Sequence, residues 1–267
     1  MAVEQEQIDL SRRSVGRGEQ LAQVPWWLLI ILGVIGYMAV QVVVDPEYRR
    51  IFLTISRGLG LTLYVTAVSF VCALLFGLLL GLGRVSRSVV LRNLATTYIE
   101  FVRGVPMLVL IFAISFAVVP VFARTFGLPN DAISLTTRAI IALVLIYGAY
   151  MAEIFRAGIE SIGRGQMEAA RSLGLSHFQA MRFVILPQAI RNVFPALGND
   201  LIALLKDSSL VSVLGVREMT QMARLDVSTT FQYQETYFIL TLLYLTLTLV
   251  LSLVLQWLQR RVGAKTH

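Results

Sequence analysis

The sequence predicts an all-α membrane protein with six spanning helices, and three observations carry that expectation. The chain of 267 residues is 57% hydrophobic with a mean hydropathy of +0.74, outside the ordinary range of a soluble domain. Five runs reach the roughly 20 apolar residues that cross a bilayer: Trp26–Val44, Gly58–Gly83, Tyr98–Phe122, Ala139–Gly158 and Thr236–Trp257. Arginines collect at alternate ends of these runs, as the positive-inside rule requires.

Residues 1–25 are polar, contain glycine and lack apolar periodicity, so they read as a tail. The first run ends Gln41-Val42-Val43-Val44-Asp45-Pro46 without a small-x-small cleavage pattern, so it is expected to remain as a helix. Trp26, Trp27 and Trp257 suit the membrane–water boundary. The stretch Asp45–Arg57 is expected to form an outer loop. A sixth run, Val184–Leu205, is interrupted by Pro187, Pro195 and the polar group Gly198-Asn199-Asp200. Polar breaks at membrane depth are tolerated only against protein or a water-filled cavity. The run is therefore expected to span beside a path.

The formal charge of +7 follows this topology rather than pointing to nucleic acid. Arg12, Arg13 and Arg17, then Arg84, Arg87 and Arg92, then Arg164, Arg171 and Arg182, then Arg260, Arg261 and Lys265 fall on one side. That side is expected to be cytoplasmic and to hold both termini. On the other side, Arg49 and Arg50 are offset by Asp45 and Glu47, and Arg217 and Arg224 by Glu218 and Asp226. Cys72 is the single cysteine, so no intrachain disulfide forms, and it reads as structural. His177 and His267 lack neighbouring ligands, so no metal is expected.

Three groups of residues carry the functional signal. The first is 168–187, EAARSLGLSHFQAMRFVILP, a charged amphipathic segment between apolar runs. As a helix it sets Met167, Ala170, Leu173 and Met181 on related faces. Gly174 breaks helical propensity, which suits two short helices joined by a turn. Such a pair fits a partner's groove; the plainer alternative is a helix lying on the membrane surface. The second group comprises Glu100 with Arg103 and Glu153 with Arg156, each i, i+3, with Glu160 four residues beyond Arg156. Pairing lowers the cost of charge near hydrocarbon. Glu100–Arg103 reads as a static anchor or as a latch, Glu153–Arg156 as a bridge tying the following loop to the membrane core or as a substrate contact, and Pro106 as a kink. The third group is Asn199, Asp200, Lys206, Asp207 and Ser208 on one apolar segment. Asp200 suits a cation and Lys206 a carboxylate, yet six residues is about 1.7 helical turns, so the two do not share a face. The alternative is a Lys206–Asp207 pair with Lys206 reaching to water.

The chain has two lysines, Lys206 after Leu205 and Lys265 after Ala264, so neither completes a P-loop that could hold ATP. No His-Glu-x-x-His and no Gly-x-Ser-x-Gly is present, which argues against an intramembrane enzyme.

The spacing of Glu168-Ala169-Ala170, Gly174, Leu186 and Pro187 resembles the EAA loop of permease subunits in ABC importers. The following PQAIRNVFPALGNDLIALLKDSSLVSVLGV, and Glu-x-x-Arg-Gly-x-Pro at Glu100–Pro106, resemble the polar amino acid branch of that family. The resemblance covers about residues 58–260. It implies a type I ABC importer transmembrane domain: a permease core over 58–260 with a coupling loop at 164–187. A five-helix core would gain one extra helix within 26–57, between cytoplasmic tails at 1–25 and 261–267. It implies a non-catalytic subunit that moves a polar amino acid across the bacterial inner membrane. An ATPase dimer, carrying ATP and magnesium, would grip Glu168, Ala169, Ala170, Gly174, Leu186 and Pro187. A second permease, identical or related, and an extracytoplasmic amino-acid-binding protein complete the implied assembly. The resemblance also implies ligand contacts at Asp200 and Lys206, with Asn199 beside them. A secondary transporter driven by an ion gradient is the alternative; it requires repeated halves and intramembrane ion ligands, which the sequence does not display.

Overall fold

The computed structural model describes residues 26–129 and 131–262. The arginines of the N-terminal tail, Lys265 and His267 lie outside the described residues. Among the described residues every regular element is helical. Contacts divide the chain into two units, residues 1–49 and 50–267. The second unit thus starts ahead of the expected core boundary at residue 58.

In the first unit, α1 (Trp26–Val44) is the expected apolar helix. Asp45 follows it and accepts a hydrogen bond from the Glu47 N–H at 2.8 Å, and Arg49 donates to the Val43 carbonyl at 2.6 Å. Helix α2 (Pro46–Ser56) begins there, with proline at its first position, where no N–H is needed. The expected outer loop is therefore largely helical.

In the second unit, α3 (Leu59–Arg84) packs along α7 (Leu135–Glu160). Their backbones come close because the facing residues are small. A Cβ added at Gly77 would lie 2.7 Å from the Met151 Cβ and 2.9 Å from the Gly148 carbonyl; one at Gly81 would lie 2.9 Å from the Phe155 Cβ. Gly77 and Gly81 are four apart, the small-xxx-small spacing that lets membrane helices touch. Around this contact lies the main core, with Ala73, Ile99, Ile111, Leu143, Ile146, Met151 and Leu204 all buried. Polarity is inverted relative to a soluble protein: Leu75 and Leu79 of α3 are exposed, while Thr62 and Thr66 are buried and donate to the carbonyls of Gly58 and Thr62. Lipid is the solvent that permits this.

Helix α4 (Val89–Gly104) is separate from the next span. Val105, preceding Pro106, is extended (φ −108°, ψ 138°), the conformation a following proline favours. The expected run Tyr98–Phe122 is thus cut. Proline ends α4 rather than kinking a longer helix, and the span restarts with α5 (Met107–Phe112). It continues through a π-helical segment, Ala113–Val118, into α6 (Val119–Thr125). After α7 come α8 (Arg164–Ser172), α9 (His177–Ala180), a second π segment (Met181–Ile185) and α10 (Leu186–Asp207). Both π segments lie just before a proline, Pro120 and Pro187. Proline has no N–H for the carbonyl four residues back and its ring crowds that carbonyl, so a widened turn upstream relieves both problems. At the first site the Arg138 guanidinium donates to the Ser115 carbonyl at 3.2 Å. Helix α10 is continuous through Pro195 and the Gly198–Asp200 group, so the expected interruptions bend chemistry into a helix without ending it.

A 3₁₀ segment (Ser208–Leu214), α11 (Met219–Thr230) and α12 (Tyr233–Val262) complete the chain. Here two acidic residues of the expected charge balance make longer-range contacts. Asp226 is buried and binds Arg50 at 2.7 Å, fastening α2 to α11. Glu218 is fully buried and caps α11, accepting from the N–H groups of Thr220 and Gln221 and from the Tyr244 hydroxyl. Burial pushes its carboxyl above the usual range, and these three hydrogen bonds pull the other way. Cys72 is exposed, so it is not a core residue.

Four stretches are long and apolar enough to cross a membrane: Pro46–Arg84, Met107–Thr125, Leu135–Glu160 and Tyr233–Arg261. Leu29–Val44 is shorter, and α10 carries Arg191, Asp200, Lys206 and Asp207. A count of six spans adds these two.

Gly77→Ala should overpack the α3–α7 contact and cost about 1–3 kcal/mol. It should lower the thermal midpoint of the detergent-solubilised protein. Gly60→Ala, whose added Cβ meets nothing within 4 Å, should not lower it.

Candidate functional site

The segment 164–187 folds as two short helices around a glycine turn. Gly174 has φ +86°, a left-handed conformation that side chains oppose. Its N–H donates to the Arg171 carbonyl and that of Leu175 to the Ala170 carbonyl, closing the end of α8. Helix α9 opens with a reciprocal cap: the Ser176 hydroxyl accepts from the Gln179 N–H, and the Gln179 carboxamide accepts from the Ser176 N–H at 2.8 Å. Two large apolar side chains flank this turn in the open, Leu173 at 84% and Phe178 at 71% exposure. Leu173 therefore does not share the inward face with Ala170, which is buried, and Met167 and Met181, which are half-buried. Met167 and Met181 join Ile159, Ile185, Leu82 and Val85 in a small core that fixes the loop to the helices. Glu168, Ala169, Gly174 and Pro187 are exposed, and Leu186 is half-buried. The result is a firmly rooted knob with an apolar tip. Exposure of Phe178 escaped the sequence reading; its place one turn from Leu173 across the glycine was the available signal.

The expected ion pairs are rearranged into one node. Glu153 of α7 is approached by Arg84 of α3, by Arg103 of α4 at 3.8 Å and by Arg156 at 3.0 Å. Arg84 also binds Glu100 at 2.9 Å, and Arg156 binds Glu160. Glu100 and Arg103 thus reach across to other helices instead of pairing with each other. Helical spacing allowed the local pair, but the packing of α3 against α7 offers Arg84 as the nearer partner. The pair Glu153–Arg156 forms as spacing suggested.

The polar residues of α10 divide into two stripes. Asn199 and Lys206, seven apart, are exposed. Asp200 and Asp207, also seven apart, are half-buried, and Asp207 accepts from the Tyr147 hydroxyl of α7 at 2.6 Å. The alternative Lys206–Asp207 pair is not formed. Tyr150 lies beside Tyr147 with ring centroids 5.9 Å apart. One oxygen of Asp200, Oδ2, is buried and meets no hydrogen-bonding partner among the described residues. Asp200 and Lys206 are therefore not brought together within one chain. The Tyr147–Asp207 bond was missed, since nothing local links residues sixty positions apart. Among the described residues, no group of three or more His, Cys, Asp or Glu could hold a metal ion.

A family model described as binding-protein-dependent transport system inner membrane component matches residues 73–264. The probable amino-acid permease protein YxeN of Bacillus subtilis (strain 168) is 40% identical over 225 residues, 84% of this chain and 98% of its own. The glutamine transport system permease protein GlnP of Escherichia coli (strain K12) is 36% identical over 207 residues, 77% of this chain and 91% of its own. The crystal structure of an amino acid ABC transporter with histidines superposes with a TM-score of 0.70 at 40% identity. It covers 80% of this chain and 95% of that one.

Glu153→Gln removes the shared counter-charge of three arginines and should cost about 1.5–3 kcal/mol. Arg103→Gln, at the longest and most open contact, should cost under about 1 kcal/mol. Thermal unfolding of the two variants side by side checks this order; equal midpoints would contradict the node.

Proposed function

We propose, from the premise that the chain belongs to the family of inner membrane components of binding-protein-dependent transport systems, that it is the permease subunit importing a polar amino acid. Family membership makes it a multi-pass inner-membrane protein and a non-catalytic ABC importer subunit, working with an ATPase and a second permease. Nothing in the comparisons favours the ion-gradient alternative.

The observation that carries the reading is one of continuity. The exposed knob at Leu173 and Phe178 runs through α9 and the π segment directly into α10, the helix bearing Asp200. From Leu186 to Asp200 is fourteen residues, about 21 Å along the helix at 1.5 Å each. A push on the knob therefore displaces the helix that meets the cargo. In this reading an ATPase dimer, holding ATP and magnesium, grips Glu168, Ala169, Ala170, Gly174, Leu186 and Pro187 together with the apolar tip. Asp200 receives the ammonium of the amino acid, and Lys206 and Asn199, exposed on the neighbouring stripe, contribute to the same substrate path, Lys206 toward a carboxylate. A binding protein delivers the amino acid from outside. The chain crosses six times with both termini in the cytoplasm. The extra helix lies within 26–57, the permease core over 58–260, and tails at 1–25 and 261–267. The support is the Asp200 oxygen, unpartnered among the described residues, the exposed polar stripe and the amino acid permeases among the relatives.

Asp200→Asn should reduce uptake efficiency roughly tenfold or more, the loss of a charge-assisted hydrogen bond of about 1.5–3 kcal/mol, while ATP hydrolysis by the assembled complex persists. Unchanged concentration dependence would remove Asp200 from the path. Glu168→Lys and Gly174→Trp should leave the protein inserted and abolish uptake; normal uptake at equal expression would remove the coupling role. In a Cys72→Ala background, a cysteine at Gln166 should resist an impermeant thiol reagent in intact cells and one at Leu128 should react. The reverse pattern would invert the orientation.

A further inference from the structure

Beside the knob lies a cavity of about 650 Å³ that the transport reading leaves unused. Its floor is apolar, formed by Val85, Ile159, Met181 and Ile185, and its rim carries Arg84, Arg87, Arg92 and His177 with Glu160. Two of these charges are committed: Arg84 binds Glu100 and Glu153, and Glu160 binds Arg156. Arg87 and Arg92 are exposed and form no ion pair among the described residues. The rim therefore presents two unneutralised guanidinium groups above an apolar floor.

The surroundings identify the occupant. Arg87 and Arg92 bracket the start of α4, where Val89, Val90, Leu91 and Leu94 are all exposed. The opposite face of α4 buries Ala95, Ile99 and Val102. Arginines flanking an exposed apolar face mark a helix lying at the membrane boundary. Basic pockets between helices at such a boundary suit anionic lipid head groups. Guanidinium binds phosphate oxygens in a two-pronged geometry, and the apolar floor accepts acyl carbons that a free phosphate does not have.

We propose that this cavity binds an anionic phospholipid, with Arg87 and Arg92 holding its phosphate and the Met181–Ile185 side taking the upper acyl chain. The lipid bridges the α3–α4 turn to the root of the knob. The site stands on the cavity and its charges, independently of what the knob grips.

The full chain, purified with the subunits that accompany it, tests this by native mass spectrometry after exchange into phosphatidylglycerol or phosphatidylcholine. The wild type should retain phosphatidylglycerol preferentially. Arg87→Gln/Arg92→Gln should weaken that retention about tenfold or more. Arg87→Lys/Arg92→Lys, which keeps the charge and loses the two-pronged geometry, should weaken the preference less than the glutamine pair, and Arg217→Gln, an exposed arginine elsewhere, should leave it unchanged. Equal retention of both lipids by the wild type, or undiminished retention by the glutamine pair, overturns the proposal. Displacement of the lipid by millimolar inorganic phosphate would make this a phosphate site and overturn the lipid assignment. Loss of an accompanying ATPase from the glutamine pair with lipid retention intact would assign the arginines to a protein partner instead.

Discussion

The backbone contact between α3 and α7 is the constraint on which the second unit depends. Gly77 and Gly81 remove the side chains that would hold the two helices apart, and dispersion over the resulting close surface replaces the hydrophobic drive that lipid cannot supply. Everything else is referred to that pair. Helix α4 is drawn to it through the Glu153 node, and α10 through the Tyr147–Asp207 bond and the shared core. The knob attaches through Leu82 of α3 and Ile159 of α7.

The node shows how charge is tolerated near hydrocarbon here. Three arginines from three helices share Glu153, so no single pair bears the whole desolvation cost. Such sharing fastens helix ends while leaving side chains free to exchange partners. The buried Glu218 and Asp226 do comparable work at α11, one as a helix cap and one as the counter-charge of Arg50. Polar atoms inside the fold are mostly spent on such fastening. Among the described residues, the Asp200 oxygen is the one carboxylate atom among five buried side-chain polar atoms that meet no hydrogen-bonding partner.

Much of this was legible in the sequence, and the limits of that legibility are physical. Apolar runs set where the spanning helices lie, because a bilayer demands length and composition together. Gly174 marked the turn, because few residues tolerate its backbone angles. What escaped depends on three-dimensional neighbours. Glu100 and Arg103 have ideal spacing for a local pair, yet Arg84 and Glu153 are better placed once α3, α4 and α7 pack. Asp207 finds Tyr147, not its neighbour Lys206. The break at Val105 was readable from Pro106, but an unbroken apolar run from Tyr98 to Phe122 concealed it. Gly77 and Gly81 were equally readable as a close-packing pair. In α10 the reverse held: Pro195 and Gly198 looked like breaks, and surrounding packing kept the helix whole.

The π segment at Met181–Ile185 has a geometric consequence of its own. A helix transmits azimuth as well as displacement, and each residue advances that azimuth by about 100°. A widened turn absorbs residues without the same advance, so it offsets the angular phase of what lies on either side. Leu173 and Phe178 thus need not share a heading with Asp200, although one continuous stretch of chain joins them. The direction in which the tip points and the direction in which the acid points are separately adjustable quantities. A relative with a differently shaped partner could re-aim one by gaining or losing a residue between Met181 and Pro187, and leave the other where it is.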